Sequence, residues 1–158
     1  MTLNKNLKNI FLVTFTTLIL SACSTAKKAT VLDGDVYTGT DTIEYLASGV
    51  ADRVFFATNK SSLTTASRAT LRKQATYLRK NKKLNVTIEG HADERGTREY
   101  NLALGERRAN AARDYLMTYG ISGKRISVIS YGKEKPINPA STPLAWSQNR
   151  RSVTVKVN

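Results

Sequence analysis

The feature that most constrains the fold is an alternation of strand-like and helix-like periodicity over the C-terminal two thirds of the chain. Residues 54–56 form a short apolar run, and residues 84–89 and 126–131 alternate apolar with polar side chains. Residues 153–157 place valine at every second position. These patterns are typical of strands, and the alternating ones predict strands with one solvent-facing side.

Two amphipathic helices are predicted between these strands, over residues 63–80 and from a Thr97 cap to a stop at Gly120. Three prolines mark the later loop, which has room for a short helical turn at residues 144–148. The order β-α-β-α-β-β predicts an α/β protein, an α+β sandwich with its helices packed on a mixed four-stranded sheet. The apolar positions that define the helices are Leu71, Ala75 and Leu78 in the first and Ala109, Ala112, Leu116 and Tyr119 in the second.

The N-terminal segment predicts export. Lys5 and Lys8 precede an apolar stretch over residues 10–20, and small residues follow. The stretch is too short to span a bilayer, so residues 1–22 are interpreted as a signal peptide.

The sequence Leu20-Ser21-Ala22-Cys23 resembles the lipobox of bacterial lipoproteins. The resemblance implies that Cys23 is lipidated and that the protein is anchored in the outer membrane, with its globular domain in the periplasm. As the single cysteine, Cys23 excludes an internal disulfide, and its alternative role is that of a small buried residue. Residues 23–52 lack a sustained period and are predicted to be a flexible tether, which leaves residues 53–158 as the domain.

The charge is strongly positive, with 25 Lys+Arg against 12 Asp+Glu. Residues 53–83 contain nine basic residues and no acid. Three interpretations stay open for this basic run: a solvated helix face, attraction to anionic wall polymer or lipid headgroups, and nucleic-acid binding. The export signal argues against nucleic acid as a partner.

The loop at residues 90–97 concentrates charged side chains where a strand leads into a helix. Asp93 follows the strand, and a chain reversal could bring it to one cleft with Arg108. This pair suits a zwitterion, because a carboxylate accepts from an ammonium group and a guanidinium grips a carboxylate. The alternative is that Asp93 and Arg108 form an internal ion pair.

Three segments carry a family resemblance: GHADERGTREYNLALGERRAN at residues 90–110, ISVISYGKEKP at residues 126–136, and Asn149-Arg150-Arg151. They are similar to the OmpA-like C-terminal domain family, and specifically to its wall-anchored lipoproteins that work with the Tol proteins. The resemblance implies non-covalent binding of peptidoglycan, an envelope-stabilising role that includes constriction at cell division, and a TolB-like periplasmic partner. A generic wall-binding lipoprotein without a Tol partner is the alternative.

The resemblance also assigns residues. It implies that Asp93 contacts the amine end of diaminopimelate in the stem peptide and Arg108 its carboxylate, with Arg95 and Leu104 lining the pocket. The family usually has an acid after the first strand, where this chain has Asn59.

Several chemistries lack their usual signature. The sequence has neither a GxxxxGK[ST] loop nor a GxSxG elbow, and its single histidine, His91, gives no zinc-site spacing. Asp93 and Glu94 are adjacent and unsuited to paired glycosidase chemistry. We therefore expect that the protein is not an enzyme and binds neither a cofactor nor a metal.

Arg150 and Arg151 precede the last predicted strand. We expect them to have a structural role, through hydrogen bonds to neighbouring carbonyls or to Glu89.

Overall fold

The computed structural model describes residues 31–32 and 35–157. The predicted signal peptide, Cys23 and the first part of the predicted tether lie outside these residues. The strands are β1 (Val31–Leu32), β2 (Val36–Tyr37), β3 (Tyr45–Ala47), β4 (Val50–Ala51), β5 (Arg53–Phe55), β6 (Asn85–His91), β7 (Ile126–Gly132) and β8 (Arg151–Val157). The helices are α1 (Thr65–Lys80), α2 (Arg98–Thr118) and α3 (Pro143–Asn149), with a 3₁₀ turn at Gly123–Arg125.

The main sheet has four strands in the order β5-β8-β6-β7. Strand β8 is antiparallel to both β5 and β6, whereas β6 and β7 are parallel. Strands β5, β6 and β7 therefore end at the same edge of the sheet, where β8 begins. This edge receives the loops after three strands and the residue that precedes the fourth.

Helices α1 and α2 pack together on the sheet and enclose the main core. Thr97 caps α2 by accepting from the Tyr100 backbone N–H at 3.2 Å, and Gly120 follows the helix with φ of 81°, as the sequence predicts. No helix within the described ranges is both long and apolar enough to cross a bilayer. The core comprises Val54, Phe56, Leu71, Ala75, Leu78, Val86, Ile88, Ala109, Ala112, Leu116, Ile121 and Ile126.

A pair of glycines lets α2 lie close to β6. A Cβ atom built on Gly90 would lie 1.9 Å from the carbonyl oxygen of Gly105, far inside van der Waals contact. Only hydrogen at both positions permits this approach, which fixes α2 directly over the strand that leads into the charged loop.

The predicted order of the six main elements and the mixed four-stranded sheet are confirmed. The start of the domain at residue 53 stays a prediction, and some residues before it pack on the domain. Val36 and Tyr37 are buried, and the Tyr37 ring meets the edge of Phe55 with centroids 4.8 Å apart. Leu46 is also buried. These short apolar stretches have no longer hydrophobic period, so the sequence did not predict them as strands. They are buried by contacts with residues that are distant in the sequence.

Candidate functional site

The candidate site lies at the sheet edge where β5, β6 and β7 end. The loop after β5 supplies Thr58, the loop after β6 supplies Asp93 and Arg95, and Arg150 immediately precedes β8. The shared direction of the three strands brings these side chains together although they are far apart in the sequence.

Asp93 is the buried acid of this site. Its Oδ1 accepts from the backbone N–H and Nε of Arg95, both at 3.1 Å. Its Oδ2 accepts from Arg95 Nη2 at 2.8 Å and from Arg150 Nη1 at 3.2 Å. Burial of the carboxyl favours its neutral form, but these hydrogen bonds outweigh burial and hold the pKa of Asp93 below its usual value. Asp93 is therefore an anion at neutral pH.

Arg150 joins three segments. Besides Asp93, its guanidinium donates to the carbonyl oxygens of Phe56, at 3.1 Å, and Asp35. Its neighbour Arg151 donates to the carbonyls of Asn149 and Lys135. The expectation that Arg150 and Arg151 bond neighbouring carbonyls is confirmed.

Arg108 lies beneath the site and is fully buried. It donates to the carbonyl oxygens of Lys60 at 2.9 Å, His91 at 2.8 Å and Ala57 at 3.1 Å. Burial and the charge of Arg150 lower the pKa of Arg108 to about 10, so the guanidinium stays charged at neutral pH. Arg108 thereby ties the loop after β5 to the end of β6.

The alternative of an internal Asp93–Arg108 ion pair is wrong. Within the described residues, the ion-pair partners of Asp93 are Arg95 and Arg150. The N–H groups of Arg108 are instead bonded to backbone carbonyls of the loop after β5 and of the last residue of β6.

Arg95 forms the accessible rim of the site. Its side chain is 42% exposed, and its guanidinium lies over the Trp146 ring, 4.3 Å from the centroid. Trp146 is oriented in turn by an Nε1–H bond of 2.7 Å to Glu94. The rim thus combines an accessible cation with an aromatic surface.

The other two expected residues differ in accessibility. Asn59 is exposed in the loop after β5, with φ of 56°, a left-handed conformation that asparagine tolerates. Leu104 is only 3% exposed on α2, so its side chain presents almost no surface to a ligand.

Two site residues escaped the sequence interpretation. Asp35 places its Oδ2 at 2.8 Å from the hydroxyl of Thr58, and it had no signal because it lies in the segment interpreted as a tether. Asn101 donates from Nδ2 to the carbonyls of Arg95 and Thr97 and so holds the loop. Asn101 could have been found from the sequence, because it lies in the motif at residues 90–110 that carries the family resemblance.

His91 is a buried histidine at the end of β6, with its ring 5.6 Å from that of Tyr131. Burial, followed by the charges of Arg151, Lys135 and Arg53, lowers the pKa of His91 to about 3, so it is neutral. In the described part of the chain, no group of three His, Cys, Asp or Glu could hold a metal ion.

A family model described as the OmpA family matches residues 55–150. The chain belongs to the OmpA family. The matched range begins at the last residue of β5 and ends at Arg150, so the OmpA-family match includes Asp93, Arg95, Arg108 and the glycine pair. Asp35 lies before the matched range.

Several proteins named peptidoglycan-associated lipoprotein are similar to this chain in sequence. The one from Rhizobium meliloti is 58% identical over 106 residues, which cover 67% of this chain and 60% of that protein. This match therefore spans three fifths of the Rhizobium protein. The one from Brucella melitensis is 42% identical over 151 residues, 92% of this chain and 90% of that protein.

Solved structures agree with the fold. The peptidoglycan-associated lipoprotein from Burkholderia pseudomallei is 38% identical with a TM-score of 0.66, covering 67% of this chain and 90% of that one. The C-terminal domain of MotB from Helicobacter pylori is 20% identical with a TM-score of 0.63, covering 68% and 84%. The MotB likeness concerns the fold alone.

Proposed function

We propose that this chain is an outer-membrane lipoprotein that binds peptidoglycan without covalent chemistry and links the membrane to the cell wall. The name of the relatives in Rhizobium and Brucella supports this function, and the Brucella match covers nearly the whole chain. The observation that carries the proposal is the buried Asp93 carboxylate covered by the partly exposed side chain of Arg95.

Binding proceeds by exchange of ion pairs. The diaminopimelate side chain ends in an ammonium and a carboxylate, which match a carboxylate and a guanidinium of the protein. Arg95 turns away from Asp93 and receives the ligand's carboxylate, while the ligand's ammonium takes its place on Asp93. Arg150 stays on Oδ2 throughout, so Asp93 is never left buried without a cation.

Arg108 acts at the carboxylate end of the ligand. Its five N–H donors make three hydrogen bonds to carbonyls, which leaves two donors for a ligand. Because the side chain is fully buried, the ligand reaches it only when the loop at residues 57–60 shifts. Asn59, exposed in that loop, contributes its amide, and Leu104 supports the floor.

The anchor and the partner complete the proposal. Lipid on Cys23 holds the chain in the outer membrane, and a TolB-like periplasmic protein competes for the wall-binding face, which couples the anchor to constriction at cell division. Palmitate labelling that is lost in Cys23→Ser tests the anchor. A pull-down from periplasm separates this role from that of a wall-binding lipoprotein without a Tol partner.

The chain is proposed to act as an anchor and not as an enzyme. Incubation with purified sacculi separates the two, because a wall hydrolase releases soluble fragments and an anchor does not. Fragment release that survives in Asp93→Ala but not after boiling would contradict the anchor function.

Calorimetric titration with a diaminopimelate-containing muropeptide tests the site. Residues 24–158 are suitable, since all buried apolar side chains of the described part lie between Val36 and Val153. Saturable binding is expected, with loss in Asp93→Ala and Arg108→Ala that remain folded by circular dichroism. Arg113→Ala is the matched control, because Arg113 lies on α2 and pairs with Asp114 at the surface. The absence of binding by the parent would overturn the proposal.

A further inference from the structure

We infer that Asp35, from the segment before the OmpA-family match, supplies a second carboxylate that receives the ligand's ammonium group. The inference rests on the proposed function and names a residue that the family match does not contain. The geometry that points to it is the meeting of the Asp35 carboxylate, the Thr58 hydroxyl and Arg95.

Asp93 by itself offers too few acceptor positions. A carboxylate accepts about four hydrogen bonds, and Asp93 already accepts four. When the Arg95 side chain leaves, the Arg95 backbone N–H and Arg150 still occupy one position on each oxygen. An ammonium group has three N–H donors, so it needs acceptors beyond the one or two positions that Asp93 regains.

Among the described residues, Asp35 Oδ1 has no hydrogen-bond partner, so it can accept a hydrogen bond at this position. One hydroxyl separates its carboxylate from Arg95, because Thr58 Oγ1 donates to Asp35 Oδ2 at 2.8 Å and accepts from Arg95 Nη2 at 3.4 Å. Asp35 is exposed, so a ligand can reach the remaining carboxylate oxygen. Thr58 Oγ1 itself can accept the third N–H once Arg95 has turned away.

Asp35 is held in position by contacts that do not use its carboxylate. Its carbonyl oxygen accepts from the buried Arg150, and the adjacent Val36 and Tyr37 are buried against Phe55. Its φ of 68° turns the chain so that the carbonyl faces Arg150 while the side chain bonds Thr58. A tether without preferred structure would not place a carboxylate here.

The charge balance of the site favours the same role. Arg95, Arg108 and Arg150 bring three positive charges, against which the OmpA-family match contributes the two negative charges of Asp93 and Glu94. An ammonium group entering a site of net charge +1 is repelled. The Asp35 carboxylate reduces that excess next to the position where the ammonium binds.

The test compares Asp35→Asn with Asp41→Asn in the full-length chain in detergent micelles. Asparagine tolerates the left-handed backbone of position 35, so only the charge changes. Asp41 is the matched control, an acid of the same segment that accepts from Gln148 at 3.2 Å. The probe is a muropeptide with diaminopimelate, used free and with its side-chain amine acetylated.

We expect Asp35→Asn to weaken binding of the free muropeptide at least about tenfold, the effect of losing one charge-assisted hydrogen bond, and Asp41→Asn to leave it unchanged. Acetylation should weaken binding to the parent more than it weakens binding to Asp35→Asn, because the variant has already lost one of the two carboxylates that receive the ammonium. Equal affinity of Asp35→Asn and the parent overturns the inference, as does a loss that adds fully to that of acetylation. A parent chain that fails to bind the free muropeptide overturns the proposed function instead.

Discussion

Arg150 and Asp93 form an enclosed ion pair, with Nη1 and Oδ2 3.2 Å apart and side chains only 2% and 9% exposed. The same guanidinium also donates to carbonyls of Phe56 and Asp35. One buried cation thus connects the segment before β5, the end of β5 and the loop after β6. The site and the stability of this edge of the sheet depend on the same side chain.

Replacing Arg150 should destabilise the fold strongly. Arg150→Ala leaves Asp93 with Arg95 as its cation and removes the donor to two carbonyls, and such losses cost about 3 kcal/mol or more of unfolding free energy. Urea denaturation followed by circular dichroism measures the change. Arg113→Ala, which breaks an exposed pair with Asp114, should cost about 1 kcal/mol or less. Similar unfolding midpoints for the two variants would show that the buried pair contributes no more than the exposed one.

His91 should make stability fall as the solution is acidified. Its folded pKa of about 3 lies below the unfolded value of 6.5, because burial and nearby cations disfavour the charged ring. The unfolded chain therefore binds the extra proton first, and stability falls from pH 6.5 towards pH 3, by on the order of 2 kcal/mol at pH 5. Unfolding free energies at pH 7.5, 6 and 5 measure the slope.

His91→Gln is the comparison for this pH dependence. The variant should lose most of the slope between pH 6.5 and 5, whatever its stability at pH 7.5. Asp93 does not interfere in this window, since its depressed pKa makes its contribution disappear only below the ordinary value of 3.8. Parallel slopes for the variant and the parent would mean that His91 is protonated in the folded protein.

The close approach of α2 and β6 predicts a severe effect of one methyl group. In Gly90→Ala the new Cβ would lie 1.9 Å from the Gly105 carbonyl oxygen, and neither backbone can yield without separating helix and strand. We expect a loss of about 3 kcal/mol or more, or failure to fold. Gly123→Ala is the control, because its Cβ meets only the flexible Met117 side chain at 3.4 Å, and it should change stability by less than about 1 kcal/mol.

The basic run predicts a second, salt-sensitive contribution to wall binding. Arg68, Arg72 and Lys73 are exposed on α1, and none takes part in an ion pair within the described residues. If this face attracts anionic wall polymer, the sacculus binding that remains in Asp93→Ala should fall as salt rises from 50 to about 300 mM, since added ions screen exposed charges. Binding is measured by co-sedimentation.

The control for this prediction removes one positive charge from a different part of the surface. Lys73→Gln should lower the remaining binding, whereas Lys124→Gln, exposed in the 3₁₀ turn, should not. Residual binding that does not change with salt concentration would contradict attraction to anionic polymer. The basic run would then be interpreted as a solvated helix face.

The main elements could be predicted because their patterns are local. The core positions of α1 and α2 follow the helical period, Thr97 caps α2 through its own side chain, and β6 buries Val86 and Ile88 in alternation. Such signals depend on neighbours within a few residues along the chain, which the sequence displays directly.

Some residues of the candidate site were predictable, but their pairing was not. The density of charge at residues 90–97 pointed to Asp93, and the family resemblance added Arg95. Asp93 pairs with Arg95 and also with Arg150, 57 residues away, while Arg108 bonds carbonyls of the loop after β5 and of the end of β6. A sequence shows which side chains carry charge, but which carbonyls turn inward depends on how the loops meet.

The sequence by itself determined the order of strands and helices and the charged loop, because period, turn chemistry and composition act over short distances. Only the tertiary structure decided that Asp35 belongs to the site and that Arg108 lies beneath it. The reason is the direction of the strands: β5, β6 and β7 end together, and β8 starts beside them. Residues distant in the chain therefore lie together at that edge, and this proximity decides which side chains form hydrogen bonds and ion pairs.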